Sequence, residues 1–265
     1  MPISKTDKMI AEKDGAIGWI TFNNPERRNA VSMAMWEALG DIVGHYAADD
    51  AIRVIVLKGA GDKAFVSGAD ISEFEEKRSS PETTKAYHEV SARANEALRH
   101  VGKPTIAMIR GFCVGGGVSV AIGCDLRIAS DNSRFGVPAA KLGLGYEYDG
   151  VKRLVDVVGP AFAKEIFYTA RQFSAAEALA MGLINRMLPD AELEAYVRET
   201  AASIAANAPL TVGSIKTIVD EAVKDESARN MAMCQQVVDR CFNSEDYVEG
   251  RTAFMQKRKP MFRGR

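Results

Sequence analysis

Two segments of this chain, Phe65-Val66-Ser67-Gly68-Ala69-Asp70-Ile71 and Gly111-Phe112-Cys113-Val114-Gly115-Gly116-Gly117, each follow an apolar run and each open into helix-like sequence. A backbone that leaves a buried strand and starts a helix at once exposes N–H groups with no intrahelical acceptor. Glycine in the turn lets another group approach them closely. Two such turns facing one another form a cradle for a negatively charged oxygen. Acyl chemistry uses such a cradle, because the oxyanion of an enolate or tetrahedral intermediate is stabilised by donors already in place.

The rest of the chain supports strands that feed helices. Ala16 to Phe22 reads as a strand stopped by Asn23-Asn24-Pro25, and Met33 to Tyr46 carries apolar residues at helical spacing (Met33, Trp36, Leu39, Ile42, Val43, Tyr46). Arg53–Lys58 and Pro104–Ile109 are short apolar runs bounded by Gly or Pro, as in strands buried on both faces. The pattern predicts a helix over Pro81–Arg99 and a strand over Leu126–Ala129. From about Ala161 onward the strand signals vanish and helices are expected as far as Lys257, with Ser174-Ala175-Ala176-Glu177 forming a capping box. The expected organisation is an α/β core over residues 1–190 and a C-terminal helical module over 191–265.

Composition narrows the function. The chain has 265 residues, 47% hydrophobic and 26% charged, enough to bury a sizeable core, and its net charge of −1 supplies no basic field for nucleic acid or an anionic membrane. No run approaches the roughly 18 apolar residues of a membrane span, and Met1-Pro2-Ile3-Ser4-Lys5 lacks the pattern of a secretion signal, so a cytoplasmic location is expected. Cys113, Cys124, Cys234 and Cys241 show no C-x-x-C spacing and read as reduced, buried thiols; no metal site is expected. Phosphate-loop, dinucleotide and nucleophile-elbow motifs are all missing, since Gly115-Gly116-Gly117 runs into Val118-Ser119-Val120 and Ser67 stands in V-S-G-A. His45, His88 and His100 fall in expected helices and read as surface or packing residues.

Asn24-Pro25 with Arg28-Asn29-Ala30, then F-V-S-G-A-D-I-S-E-F at 65–74, G-x-x-x-G-G-G at 111–117 with Cys124-Asp125, and Ala176-x-x-Ala-x-x-x-Gly182-Leu183-Ile184-Asn185 together resemble the enoyl-CoA hydratase/isomerase (crotonase) superfamily. The resemblance implies a spiral of ββα turns with a C-terminal helical trimerisation module, assembled as a homotrimer or homohexamer. It implies an acyl-CoA substrate, with coenzyme A entering as part of the substrate and no separate cofactor. By position it assigns the oxyanion donors to the N–H groups of Ala69 and Gly116, and CoA contacts to Arg28, Ser67, Gly68, Asp70, Ile71 and Gly115. Phe254 and Lys257 match last-helix residues that meet CoA across a subunit boundary.

The chain also departs from the pattern. Hydratases of this family carry two glutamates that share one water; the matching positions here are Ser119 and Ala139, neither of which transfers a proton as a carboxylate does. The following segment, Lys141-Leu142-Gly143-Leu144-Gly145-Tyr146-Glu147-Tyr148-Asp149-Gly150, places an ionisable cluster where typical hydratases have small residues. Glu147 falls where dienoyl-CoA isomerases and 4-chlorobenzoyl-CoA dehalogenases of the superfamily carry a catalytic aspartate, and Tyr146 where methylmalonyl-CoA decarboxylases carry an active-site tyrosine. Asp149 is expected to cap a helix starting near Val151. The expectation is therefore an enolate-stabilising acyl-CoA enzyme with Glu147 as proton carrier. The alternatives are a malonyl-type acyl-CoA decarboxylase and a non-catalytic acyl-CoA-binding scaffold.

Overall fold

A computed structural model describes residues 3–70 and 81–265. Strand β1 (Met9–Asp14) pairs antiparallel with β2 (Ile17–Phe22), and α1 (Met33–Ala48) follows. From there the chain repeats one move: a long strand, a turn, a short strand, a helix. It runs β3 (Val54–Gly59), β4 (Ala64–Val66), α2 (Pro81–His100); then β5 (Thr105–Ile109), β6 (Phe112–Val114), α3 (Gly116–Gly123); then β7 (Leu126–Ser130), β8 (Arg134–Gly136), α4 (Ala139–Leu142). The long strands add in parallel to a sheet ordered β1-β2-β3-β5-β7-β10, closed by β10 (Arg186–Leu188), and the short ones form a second sheet ordered β4-β6-β8-β9, parallel except for its last strand β9 (Phe173–Ser174). The chain thus climbs as a spiral of ββα turns with two sheets as its walls.

The central strands are apolar throughout because both of their faces are covered. Alternate residues of one strand point to opposite sides. Ile55, Leu57, Ala107 and Ile109 join the inner core, with Met35, Leu39 and Ile42 of α1. Val54, Val56, Ile106 and Met108 join an outer layer, with Leu193, Val197 and Ala201 of α7 (Asp190–Ala205). Helix α1 starts on Ser32, whose hydroxyl accepts from Met35 N, and its last carbonyls are met by Lys103, whose Nζ donates to Tyr46 O and Asp49 O at 2.6 Å each. Lys103 ties the start of β5 to the end of α1.

Beyond α4 come α5 (Tyr148–Thr169), β9 (Phe173–Ser174), α6 (Ala175–Ala180) and β10 (Arg186–Leu188). Strands β9 and β10 lie in a region expected to hold none. At two and three residues they are too short to show alternation, and they form because β8 and β7 offer them open edges. The capping box at Ser174 is present in full. Helix α5 begins at Tyr148, with Glu147 at its N-cap, so Asp149 lies in the first turn and is not the cap. Cys113 and Cys124 are buried as expected, whereas Cys234 and Cys241 on α9 (Met231–Phe242) are only partly covered.

Helices α8 (Pro209–Ala222), α9 and α10 (Glu245–Met255) complete the chain. Lys216 of α8 reaches back to Asp125 (2.9 Å) and to Lys103 O (3.1 Å), the same carboxylate that accepts from Thr105 N. The Asp246 carboxylate accepts from Arg263 N and Gly264 N at 2.6 and 2.7 Å, folding the end of the chain onto the start of α10. Among the described residues no helix is long and apolar enough to cross a membrane.

One of the tightest backbone contacts in the spiral is between α3 and β4. A Cβ built on Gly117 would stand 2.1 Å from the Val66 carbonyl oxygen, a backbone atom that cannot swing aside. Gly117→Ala is therefore expected to lose about 1–3 kcal/mol, the usual cost of overpacking, although alanine is the better helix former. Gly44, exposed on α1 with nothing within 4 Å of its built Cβ, is the control, and Gly44→Ala should gain about 0.5–1 kcal/mol. Urea denaturation of the two variants measures both signs.

Candidate active site

The loop from β2 to α1 shapes the first glycine turn. Asn29, fully buried with φ 56°, accepts from Asn24 N at 3.0 Å and donates from Nδ2 to Ala60 O and Ala64 O at 3.0 and 2.7 Å. One side-chain amide thus joins the exit of β2 to the turn between β3 and β4. The strand leaving β4 then pairs with the same loop: Ser67 N donates to Arg28 O (3.1 Å), Val31 N to Gly68 O (2.9 Å) and Asp70 N to Val31 O (3.0 Å). In a parallel bridge of this kind the residues flanking Ala69 face Val31, so the N–H of Ala69 itself points to the other side.

The second turn arrives on that side. Gly115 is the N-cap of α3 with φ 54° and ψ −113°, a conformation glycine supplies without strain, and its N–H donates to Gly136 O at 2.8 Å. Gly116 follows as the first helical residue, where the N–H has no intrahelical acceptor and the helix dipole is positive. A Cβ on Gly116 would stand 3.7 Å from Gly68 C and 3.9 Å from Ala69 N, and one on Gly115 would stand 3.8 Å from Gly68 Cα. Among the described residues neither the Ala69 nor the Gly116 N–H donates to a backbone carbonyl. The two turns expected to cooperate are in contact, with their donors unspent.

Trp36 of α1 underlies this contact, its Cζ2 lying 3.5 Å from the built Gly116 Cβ. Its indole Nε1 donates to Tyr87 OH of α2 at 2.8 Å, and both side chains are buried. Sequence reasoning assigned Trp36 only to an apolar stripe and did not single out Tyr87. An aromatic residue with a polar tip inside such a stripe is the signal that points to a buried partner.

The remaining candidates divide. Arg28 is exposed, holds φ 52° and stacks its guanidinium over Phe112 at 5.1 Å. It lines a cavity of about 250 Å³ together with Pro25, Gly61 and Lys63. Ser67 Oγ donates to Arg27 O at 3.3 Å, and buried Asp70 pairs with Arg27 at 3.1 Å, which spends both groups on holding the loop. Ile71 lies outside the described residues. Phe254 is 82% exposed at the end of α10, and Lys257 follows with φ 54°; among the described residues neither makes a hydrogen bond, ion pair or ring contact with the two turns.

On the opposite wall, Ser119 Oγ donates to Asn95 Oδ1 at 3.5 Å, and Asn95 Nδ2 donates to Ser91 O, so a neutral pair joins α3 to α2. Ala139, buried, opens α4. Tyr146 packs its ring edge-on against Phe167 at 4.9 Å. Glu147 extends its carboxylate to His88 of α2, Oε1 to Nδ1 3.2 Å, a contact the sequence reading of His88 as a surface or packing residue did not include. Cys113 and Cys124 lie beneath α3; burial pushes both thiols up, Cys124 to about 12 with Asp125 adding to the effect, so neither is a thiolate nucleophile.

This is the fold and turn arrangement of an acyl-CoA-handling enzyme class, and comparison with known proteins places the chain within it. The enoyl-CoA hydratase/isomerase profile matches residues 12–265, and the chain belongs to that family. It is similar to the short-chain-enoyl-CoA hydratase of Clostridium acetobutylicum, 34% identical with 96% of each chain covered. It is 33% identical to the crotonyl-CoA hydratase of Syntrophomonas wolfei, over 97% of this chain and 98% of the relative. The crystal structure of an enoyl-CoA hydratase/carnithine racemase from Magnetospirillum magneticum superposes with a TM-score of 0.92 at 37% identity, covering 99% of this chain and 98% of the other.

Gly116→Pro tests the cradle directly. The first helical position accommodates a proline ring, while the substitution deletes the N–H expected to serve as an oxyanion donor. Turnover of acyl-CoA should fall about 10²–10³-fold, the usual loss for one oxyanion donor, with circular dichroism reporting that the fold is retained. Full activity in the folded variant would place the oxyanion site elsewhere.

Proposed function

We propose that this enzyme binds an acyl-CoA thioester, holds its enolate oxygen between the N–H groups of Ala69 and Gly116, and moves the proton with Glu147. The reading rests on one observation above all, the contact of two glycine turns whose donors have no backbone acceptor among the described residues. The C–H acid of a thioester is too weak for an ordinary carboxylate to ionise in water; two preset donors in a site screened from solvent offset that difference. The reaction is an isomerisation or a divergent hydratase/lyase step. In isomerisation of a 3-enoyl-CoA, the Glu147 carboxylate takes a C2 proton and the C–H electron pair passes into the dienolate oxygen. Return of that proton at C4 then yields the 2-enoyl-CoA.

The proposed CoA contacts follow the loop geometry. Gly68 and Gly115 let the thioester approach, Ser67 and Asp70 shape the same turn, and Ile71 is assigned to the CoA by its sequence position alone. Arg28 and Lys63 supply positive charge around the nearby cavity for the phosphates. The mechanism calls for no cofactor beyond the CoA of the substrate, and the site of action is the cytoplasm. Partner copies complete the assembly: Ile215, Val219 and Val223 form an exposed i, i+4, i+8 stripe, and Phe254 and Met255 are exposed as well, all to 54% or more, which suits burial in a homotrimer or homohexamer and delivery of Phe254 and Lys257 to a neighbour's CoA. Light scattering at micromolar concentration should give a mass of three or six chains; a monomer would sink this assembly.

Ser119 and Ala139 stand where paired carboxylates would activate a water, so hydration of crotonyl-CoA should be absent or slow, while a 3-enoyl-CoA is converted. Glu147→Gln keeps the shape, removes proton transfer and should lower that conversion by about 10²–10⁴ with acyl-CoA binding retained. An unimpaired Glu147→Gln together with decarboxylation of methylmalonyl-CoA would move the chemistry to Tyr146 and the decarboxylase reading. Tight CoA-ester binding with no turnover would leave a scaffold.

A further inference from the structure

We infer that His88 is the positioning partner of Glu147, coupled to it through the Nδ1 contact so that the two side chains hold one mobile proton at the mouth of the site. This rests on the reading of Glu147 as proton carrier. The contact joins residues 59 apart, one on α2 and one at the N-cap of α5, with Oε1 and Nδ1 3.2 Å apart. At an N-cap the carboxylate could have turned inward to accept from the first backbone N–H groups of α5. It makes no such bond, and its side chain, 75% exposed, extends to the imidazole instead.

The contact is connected to the cradle by short links. His88 follows Tyr87, whose hydroxyl accepts from Trp36 Nε1, and Trp36 lies against Gly116. On the other side Pro138 Cδ lies 4.0 Å from the built Gly115 Cβ, and α4 carries the chain from there towards Glu147. Several of the other charges on the two helices are engaged with one another. Lys85 faces Glu89, Lys152 faces Asp156, and Glu96 meets both Arg153 and His100. The Glu147–His88 pair is too open to solvent to add much stability. What it supplies is chemistry: with neither hydratase carboxylate present, a second group that can take or return a proton beside the first.

In the coupled step the glutamate removes a proton from the α-carbon and the C–H electron pair moves into the enolate held by the two N–H groups. The proton on Glu147 is then shared with Nδ1, from where it returns to carbon or exchanges with water. His88 touches Glu147 and not the substrate, so its effect appears in the rate and pH profile of proton transfer and not in binding.

Deuterium wash-in at C2 of butyryl-CoA in D2O, followed by mass spectrometry across pH, reads this step whatever the net reaction. Wild type should exchange, and Glu147→Gln should lose about 10²–10⁴ in rate. His88→Ala should lose about 10- to 100-fold with unchanged butyryl-CoA binding, the ordinary effect of loosening a group that orients a reacting one. His88→Asn retains an amide donor near the Nδ1 position and should recover part of the rate while losing the imidazole's limb of the pH profile. A folded His88→Ala variant with wild-type rate and pH profile overturns the inference and leaves Glu147 in place. No exchange by the wild type, or full exchange by Glu147→Gln, overturns the reading of Glu147 itself.

Discussion

The close approach of α3 to β4 governs everything else in this molecule. Gly117 lets the helix backbone sit on the Val66 carbonyl, and that contact fixes where the helix begins relative to the strand exit. Because the helix starts there, Gly116 meets Gly68 and Ala69, and the loop at Asn29 holds the facing turn. Any side chain at position 117 would separate the two layers and with them the two donors. A packing constraint between backbones is thus also the constraint that sets the site's geometry.

A cradle made of backbone has a consequence for chemistry. Its donors are peptide N–H groups, so their placement depends on the fold and survives replacement of the side chains around them. The walls are made of side chains and are free to vary. On one wall Ser119 donates to Asn95, and a methyl group occupies position 139. The proposed oxyanion donors therefore rest on backbone geometry and the proposed proton carrier on side chains, and the two are argued from different residues.

Much of the fold was legible because its signals are local. Apolar runs ended by Gly or Pro marked β2, β3, β5 and β7, periodic apolar residues marked α1, and the glycines marked both turns. The strands of the second sheet were not legible as strands: Ala64–Val66, Phe112–Val114 and Arg134–Gly136 are three residues each, too short for a period, and exist because each pairs with a neighbouring turn of the spiral. For the same reason Glu147 could be singled out as an unusual carboxylate, but its partner could not. His88 on α2 reads as an ordinary surface histidine, and only the crossing of α2 and α5 brings it within reach.

Glu147 and the cradle also differ in what solvent does to them, and the difference bears on reaction type. The N–H donors act most strongly in a dry site, where the dielectric is low. A carboxylate open to water exchanges its proton readily. A hydratase has to hold one water between two carboxylates and fend off the rest, which demands an enclosed pair. A proton shuttle between two carbons of a bound enolate asks less: one carboxylate that reaches the face of the substrate, and a neighbour that takes up the proton between the two transfers. The imidazole 3.2 Å from Glu147 and the absence of a carboxylate at positions 119 and 139 are the observations on which the proposed shuttle rests.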